Sequence, residues 1–406
     1  MRVSTVQFYF QNSQQLTNKQ SDVNEQIQYI SSGKRVLTAK DDAVSYGTLS
    51  GFKDELNNID KYQRNITLAE NRNSLLETSF SNATNILQEL KQRLIQANNG
   101  TLSDLDLKSL ADLTEDNLDQ MLDIGNIKDE TGGYIFSGYQ IDVAPFSLQP
   151  DNTVIYSGDN GARELQIGKN VNVATSIPGD DAFLKIANEV GDFEPVYNTN
   201  TSGITVRYAR IVDPSLNNTT PGAGFPPDYN FTFNPTAADL TVRDGDGDVI
   251  FTTGAYVPGQ PITLPNGVEV QIDGNPLPGD DIDLTPKKNV SVFETIKSAI
   301  DWMRVGASPA DPVQHSVDYD HILGQVNTAL NHMVSNQTTA GARLKLAETQ
   351  DSNHRDSQLY LETGRSNIED LDFAKAIATF EQSKVALQAA QQTFVQVKNL
   401  SLFNYI

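Results

Sequence analysis

Prolines are confined to the middle of this 406-residue chain. All 17 of them lie between Pro145 and Pro312, so the first 144 residues and the last 94 contain none. Proline removes a backbone donor and breaks the interior of a helix, whereas proline-free segments can form long helices. The distribution therefore predicts two helical arms, one from each end of the chain, around an inserted segment of different structure.

The inserted segment is also the acidic part of the chain. Residues 141–287 contain 20 acidic and 7 basic side chains, which accounts for −13 of the formal net charge of −22. Such a charge disfavours nucleic acids and anionic membrane surfaces as partners. The chain has no cysteine, which excludes disulfides and thiol catalysis. It also lacks an apolar run of the ~18 residues that span a membrane, and its N-terminus lacks the apolar region of a cleaved secretory signal. We therefore expect a cytoplasmic protein or one exported without signal cleavage.

Apolar side chains in the N-terminal arm recur at helical spacing. A first helix carries Leu16, Val23, Ile27 and Ile30 and is expected to end at Gly33. A compact polar segment anchored by Val36 follows. The next helix is predicted to begin near Ala43 or Phe52 and to end near Asn98. Its stripe advances in alternating steps of four and three, as in a coiled coil, and comprises Tyr62, Ile66, Ala69, Asn73, Leu76, Phe80, Ala83, Leu87, Leu90, Leu94 and Ala97.

A third helix is predicted for residues 103–128, and β structure from there onward. GGYIFSGYQ, residues 132–140, breaks the helix and is expected to open the β region. Residues 154–167 predict two short strands around an Asp-Asn-Gly turn. Residues 198–227 are expected to be loop with one strand, ITVRYARIV, and residues 240–286 a meander with Asp-Gly, Asn-Gly and Pro-Gly turns. The fold of residues 188–229 as a whole stays open.

The helical pattern returns at Val292 and continues to the end of the chain. One short helix and then a long one, from about Val317, are predicted. In the last stretch, residues 366–406, five large side chains share one ~100° face of a helix: Phe373, Ile377, Phe380, Leu387 and Phe394. A second strip consists of the smaller residues Ala374, Ala378, Val385 and Ala389. This helix either docks on the core of its own domain or leaves a face that an assembly covers.

Catalytic and metal-binding patterns are weak throughout the sequence. The acidic run at Asp244, Asp246 and Asp248 has valine and alanine where a calcium loop needs glycine and glutamate, so a solvated turn is favoured. Asp280, Asp281 and Asp283 are likewise expected to form a solvated turn. No serine, histidine and acid arrangement and no phosphate-binding loop is present. We therefore expect a protein without enzymatic activity, cofactor or metal site.

Both ends of the chain resemble one protein family. LTNKQSDVNEQIQYISSGKRVLTAKDDA resembles the N-terminal region of bacterial flagellins and their hook-associated relatives, and RSNIEDLDFAKAIATFEQSKVALQAAQQTFVQ resembles their C-terminal region. NIKDETGGYIFSGYQ, residues 126–140, looks more like the hook–filament junction members of this family than like flagellin. The resemblance covers both arms but only the last third of the acidic centre.

The resemblance implies a structural role in the flagellum. Members of this family leave the cell through the flagellar type III export channel with an uncleaved signal, and an export chaperone binds the C-terminal helix first. Their terminal helices pair in the inner layer of a tube, so the resemblance implies a cyclic ring of about eleven subunits. Its neighbours would be the first hook-associated protein and flagellin. The nine assembly residues implied are Leu16, Val23, Ile27, Ile30, Phe373, Ile377, Phe380, Leu387 and Phe394.

The predicted architecture is α+β, with long antiparallel helical coiled-coil or bundle arms from both termini and an inserted β-rich domain. We expect an inner-tube domain of residues 1–45 and 366–406, a helical rod domain with a β-hairpin of residues 46–180 and 288–365, and an outer β-rich domain of residues 181–287. The predicted function is the junction ring between hook and filament. A flagellin filament subunit and a surface adhesin are the alternatives.

Overall fold

The computed structural model describes residues 2–151, 153–217 and 228–403. Its contacts divide the chain into two compact units. One comprises Met1–Asn65 with Thr349–Ile406, and the other comprises Ile66–Glu348. Both ends of the chain thus meet in the first unit, as the family resemblance implies.

The first unit is helical. Helix α1 spans Arg2–Ser32 and α7 spans Phe373–Phe403, and the two pack against each other. Helix α2 spans Ala43–Ala97 and α6 spans Pro312–Glu369. The first part of α2 lies antiparallel to the last part of α6, because the Tyr62 ring stacks on His354 with centroids 5.4 Å apart and Phe52 lies against Gly364. The unit is therefore built from two antiparallel helix pairs.

The second unit has a helical core. It contains the remainder of α2 and α6, helix α3 (Asp104–Gly125) and helix α5 (Val292–Arg304). Ser103 and Asp106 cap the start of α3 reciprocally, and this capping box satisfies two backbone donors that a helix start otherwise leaves unpaired. The predicted stripe of α2 lies inward: Leu76, Phe80, Ala83, Leu87, Leu90 and Leu94 are all fully buried in one cluster. The alternating four- and three-residue spacing therefore correctly predicted which residues of α2 lie in this core.

Asn73 has a specific role in the buried stripe of α2. Its Nδ2 donates 2.9 Å to the carbonyl of Ala69 and 3.1 Å to the carbonyl of Ala174. Ala174 ends strand β4 (Val171–Ala174), which pairs with β3 (Glu164–Gly168) as a hairpin. Ile66, Ala69 and Ala347 are buried with residues of this hairpin. The polar residue thus ties the hairpin to the helix.

The inserted β domain has one core between two antiparallel sheets. The larger sheet has the order β10-β9-β8-β13-β6 and the smaller one β11-β12-β7. The strands are β6 Phe193–Thr199, β7 Thr205–Ile211, β8 Tyr229–Phe233, β9 Leu240–Asp244, β10 Val249–Thr253, β11 Ile262–Thr263, β12 Val268–Asp273 and β13 Asp281–Pro286. Alternate residues of β8 and β12 are buried, which is the period of a half-buried strand. A short helix α4, Pro214–Asn217, follows β7.

Three minor elements connect the core to the β domain. Strands β1 (Phe146–Leu148) and β2 (Val154–Tyr156) form one hairpin. A single π-helical turn, Asp180–Leu184, follows β4. Strands β5 (Ile186–Ala187) and β14 (Asn289–Val290) then pair where the chain enters and leaves the β domain. The entry and the exit of the insertion are therefore held side by side.

Several local predictions are corrected by the structure. The two strands predicted in residues 154–167 form but do not pair, because β2 pairs with β1 and β3 pairs with β4. Residues 132–140 form an isolated bridge, Lys128 with Tyr134, and turns instead of a strand. The expected meander is incomplete, since β13 lies between β8 and β6. The fold of residues 188–229, left open above, includes β6 and β7, whereas the loop predicted at 218–227 lies outside the described residues.

Asp280 is the clearest correction among the polar residues. A solvated turn was expected, but the Asp280 side chain is fully buried. Its carboxylate accepts hydrogen bonds from the backbone nitrogens of Leu277 (2.7 Å) and Thr201 (2.9 Å) and from the hydroxyls of Thr201 and Ser202. These bonds outweigh the cost of burial and lower the pKa of Asp280. Sequence spacing could not reveal partners 79 residues away.

Candidate assembly surface

Helices α1 and α7 form an antiparallel pair. The rings of Tyr9 and Phe394 lie 5.2 Å apart at one end, and Phe373 lies against Gly33 at the other. Of the predicted residues, the half-buried ones are Leu16, Val23, Ile30, Phe380, Leu387 and Phe394, while Ile27, Phe373 and Ile377 are exposed. The pair therefore buries part of the predicted set and leaves the rest open.

The covered side of α7 follows a coiled-coil spacing. Its buried and half-buried side chains from Ala376 onward advance in steps of four and three: Ala376, Phe380, Ser383, Leu387, Ala390 and Phe394. Phe373 and Ile377 were predicted to share this face, but they lie at its edge. The structure thus centres the inward face on Ala376 and Phe380, a few tens of degrees from the predicted centre.

A second apolar face of α7 is open in the free chain. Phe373 is 52%, Ile377 51%, Val385 61% and Val395 53% exposed. The small residues Ala374, Ala378 and Ala389 are exposed beside them. We call the set Phe373, Ala374, Ile377, Ala378, Val385, Ala389 and Val395 the outward strip. Exposed apolar patches larger than those of ordinary monomers are typical of interaction sites, and the small residues of this strip permit a close approach.

The two helix pairs are joined where the chain bends twice. The segment between α1 and α2 lies beside the segment between α6 and α7, with Lys34 and Asp370 forming an antiparallel bridge. The backbone nitrogen of Arg35 donates 2.7 Å to the carbonyl of Glu369, and that of Leu371 donates 3.0 Å to the carbonyl of Gly33. We call this arrangement the joint. It links residues more than 330 positions apart, so both ends of the chain are needed to form it.

A buried carboxylate lies at the centre of the joint. The Glu369 side chain is only 6% exposed, and its Oε1 lies 2.8 Å from Lys34 Nζ and 2.9 Å from Lys53 Nζ. Arg365 Nε lies 3.7 Å from the other oxygen. Burial alone raises the pKa of a carboxyl group, but the hydrogen bonds from Lys34 and Lys53 outweigh it, so the pKa of Glu369 is lowered. Glu369 is therefore an ionised group that ties α1, α2 and α6 together.

The segment between α1 and α2 is ordered by short polar contacts. Asp41 accepts from the backbone nitrogens of Leu37 (2.9 Å) and Thr38 (2.8 Å) and from the hydroxyl of Tyr29 (2.9 Å). Burial and this bond raise the pKa of Tyr29 to about 12. Asp42 then caps α2 by accepting from the nitrogen of Ser45. Val36 is buried, as predicted. The bend therefore has a defined shape.

Sequence reasoning missed the joint. Lys34 and Glu369 both lie inside the quoted family-like segments, in GKR and IED, yet neither was selected as a site residue. A signal was available: the acidic run Glu369, Asp370 and Asp372 lies where one arm bends, and the basic pair Lys34 and Arg35 lies where the other arm bends. The pairing itself requires the fold, because Lys53 lies 316 positions from Glu369.

Another buried carboxylate, in addition to those of Glu369 and Asp280, lies in the second unit. The Asp129 side chain has no exposed surface, and its Oδ2 lies 3.1 Å from Arg72 Nη2 and 3.5 Å from Arg163 Nη1. Its Oδ1 accepts from the nitrogens of Thr131 and Gly133. Burial alone raises the pKa of Asp129, but its hydrogen bonds and the nearby charge of Arg72 outweigh burial, so the pKa is lowered. Asp129 fixes the turn after α3 to α2 and to the β3–β4 hairpin, which is a structural role.

The remaining polar groups of interest stabilise turns. Asp244 Oδ1 accepts from the nitrogens of Asp246 (3.2 Å) and Asp248 (2.9 Å), so the acidic run caps its own turn. Within the described residues, none of the helices has the length and apolar character of a membrane span.

Helices from both chain ends pair and carry an open apolar face, an arrangement that fits a structural protein. Two family descriptions match the chain: the bacterial flagellin N-terminal helical region at residues 3–141 and the bacterial flagellin C-terminal helical region at residues 323–406. The chain belongs to the flagellin family.

Within that family, the chain is similar to hook-associated proteins. Flagellar hook-associated protein 3 of Salmonella typhimurium is 24% identical over 403 residues, 99% of each chain. The Escherichia coli protein of that name is 31% identical over 188 residues, which cover 46% of this chain and 58% of that protein. The crystal structure of the flagellar junction protein FlgL from Legionella pneumophila has a TM-score of 0.64 and 28% identity, covering 79% of this chain and 99% of that one. These likenesses confirm the predicted α+β class with helical arms and an inserted β-rich region.

Proposed function

We propose that this chain is a structural subunit of the bacterial flagellum that forms the junction between the hook and the flagellin filament. The observation that carries the proposal is the terminal helix pair: one apolar face is covered inside the chain, and the outward strip is left open. In the free chain the exposed surface of the strip stays in contact with water and contributes no stability. In an assembly, apolar surface of neighbouring subunits would cover the strip, and this burial is favourable. The chain is a structural protein and not an enzyme.

The partners we propose lie within the flagellum. The first hook-associated protein would contact the ring from the hook side and flagellin from the filament side, while copies of this chain contact one another around the ring. We also propose that an export chaperone covers the outward strip before secretion through the type III channel. The net charge of −22 makes nucleic acid an unfavourable partner, and we propose no membrane insertion.

We further propose that three layers carry out this role. Residues 1–45 and 366–406 form the inner layer of the tube, residues 46–180 and 288–365 the rod layer, and residues 181–287 the outer domain. The exposed outward strip supports the first assignment, because it lies wholly within the proposed inner layer. The β domain, whose core is separate from the helical core, suits an outward position.

Localisation tests the proposal directly. In cells whose own copy carries a small epitope tag in the β domain, immunogold labelling should mark one band at the hook end of each filament. Label along the whole filament would support the alternative of a filament subunit. Label on the cell body, with binding that survives deletion of residues 373–406, would support a surface adhesin.

A further inference from the structure

The two helix pairs of the first unit are connected by few backbone contacts. The polypeptide crosses from one pair to the other only at the bends after α1 and after α6, and the described backbone bonds between these bends are those of Gly33, Arg35, Glu369 and Leu371. A connection of this kind leaves the direction of one pair relative to the other weakly determined by the backbone alone.

Side chains supply the missing constraint. Glu369 ends α6, Lys34 follows α1, and Lys53 lies about three turns inside α2, which begins at Ala43. The ammonium groups of Lys34 and Lys53 both reach the one buried carboxylate of Glu369. Arg35 adds a hydrogen bond of 3.1 Å from its guanidinium to the carbonyl of Ile368. Two ammonium groups from different segments reach one buried carboxylate only within a limited range of helix placements, since charge-assisted hydrogen bonds need short contacts.

The joint is close to the outward strip. Asp370, Leu371 and Asp372 separate Glu369 from Phe373, the first residue of the strip. The Phe373 ring already lies against Gly33. A small rotation at the joint therefore displaces the far end of α7, which extends 31 residues, by many ångströms. At ~1.5 Å per residue the helix is roughly 45 Å long, so a tilt of about 10° moves its end by about 8 Å.

We propose that Glu369 is a positioning residue: by holding Lys34 and Lys53 together, it sets the direction in which the α1–α7 pair presents the outward strip to neighbouring subunits. The proposal rests on the proposed function, because it assigns a geometric control to the same assembly surface. The Glu369 side chain is only 6% exposed, so in this proposal it acts through the helices that it holds.

Distance measurements test this role. The chain contains no cysteine, so Asp54→Cys on α2 and Glu381→Cys on α7, both at exposed positions of the same unit, accept spin labels without background. In the otherwise natural chain, the label-to-label distance should show one narrow distribution. Glu369→Gln should broaden or shift it, while amide exchange within α1 and α7 stays slow, because the helices remain paired with each other. Incorporation at hook ends should fall at least tenfold.

Matched variants separate positioning from general stability. Glu362→Gln removes an exposed carboxylate from the same helix and should leave the distance unchanged. Lys53→Arg keeps the charge and the donor and should retain the narrow distribution, whereas Lys53→Met should broaden it. If Glu369→Gln melts the whole chain, the two Lys53 variants decide, because Lys53 is 48% exposed and its truncation leaves no buried cavity.

The outcomes distinguish the two proposals. Unchanged distances in Glu369→Gln and Lys53→Met, with normal incorporation, overturn the positioning role and leave the proposed function intact. A lowered melting temperature with an unchanged distance also overturns it, since that is the signature of plain stabilisation. Failure of the natural chain to incorporate at hook ends contradicts the proposed function itself.

Discussion

Truncation of Ile377 to alanine separates stability of the free chain from assembly. The side chain is 51% exposed, so about half of its apolar surface is already covered. Full burial of an isoleucine contributes about 1.5–3 kcal/mol, so Ile377→Ala removes about 1 kcal/mol from the free chain. The better helix propensity of alanine returns a few tenths of that. The free energy of unfolding should therefore fall by less than about 1 kcal/mol.

Assembly should respond more strongly than folding. If a neighbouring subunit covers the exposed half of Ile377, the variant loses about 1 kcal/mol or more at that contact, and binding weakens about fivefold or more. The assay mixes equal amounts of Ile377→Ala and natural chain with isolated hooks and measures the incorporated ratio by mass spectrometry. Leu277→Ala is the control, because Leu277 is 48% exposed but lies in the β domain. The reasoning fails if Ile377→Ala competes as well as the control. It also fails if Ile377→Ala lowers the free energy of unfolding of the free chain by several kcal/mol.

Three further predictions concern the cores and the joint. Phe80 is fully buried, so Phe80→Ala should lower the free energy of unfolding by about 3–5 kcal/mol in urea titrations; a loss below 1 kcal/mol would contradict the core assignment. Asp280→Ala removes the buried carboxylate that accepts from the backbone nitrogens of Thr201 and Leu277, at about 1.5–3 kcal/mol for the loss of hydrogen bonds to a charged group, and amide exchange should accelerate in the β domain while staying unchanged in the helical core. The lowered pKa of Glu369 means that its stabilisation is complete above its usual pKa of 4.5 and is lost as the pH falls through the lower folded value. Amide protection at the joint should thus persist at pH 5 and decrease on further acidification, and Glu369→Gln should remove that dependence.

Local periodicity predicted the helical framework well. The proline-free ends became the helices α1, α2, α6 and α7, and α2 begins at Ala43, one of the two predicted starts. The buried stripe from Ile66 to Leu94 follows the predicted steps. These predictions succeed because the backbone hydrogen bonds of a helix join residues only four positions apart. The pattern of a helix is therefore present in any short window of the sequence.

Long-range pairing accounts for what sequence reasoning missed. Residues 154–167 do form strands, but each strand pairs with a partner outside the predicted hairpin, which no local turn signal specifies. In the sequence Asp280 looks like a turn residue, because its partners Thr201 and Ser202 are brought to it only by the fold. The role of Glu369 was missed for the same reason. It depends on Lys34 and Lys53, which lie beside Glu369 only when both ends of the chain have met.

The position of the inward face of α7 shows a limit of a different kind. Phe373 and Ile377 fall on the predicted face by angle, yet they are half exposed, whereas the small Ala376 is the buried residue. Close packing against α1 favours a small side chain there, and a hydrophobicity pattern weights large residues instead. The open large residues are what leave the outward strip available for neighbours.

Seeded growth on isolated hooks tests the central claim most directly. Hooks that already carry the first hook-associated protein are incubated with an excess of this chain and viewed by electron microscopy, before and after flagellin is added. We predict a thin terminal ring that does not lengthen with time or concentration, and filament growth from flagellin only on hooks that carry it. Growth of long filaments from this chain alone, or equal flagellin growth without it, would contradict a junction role.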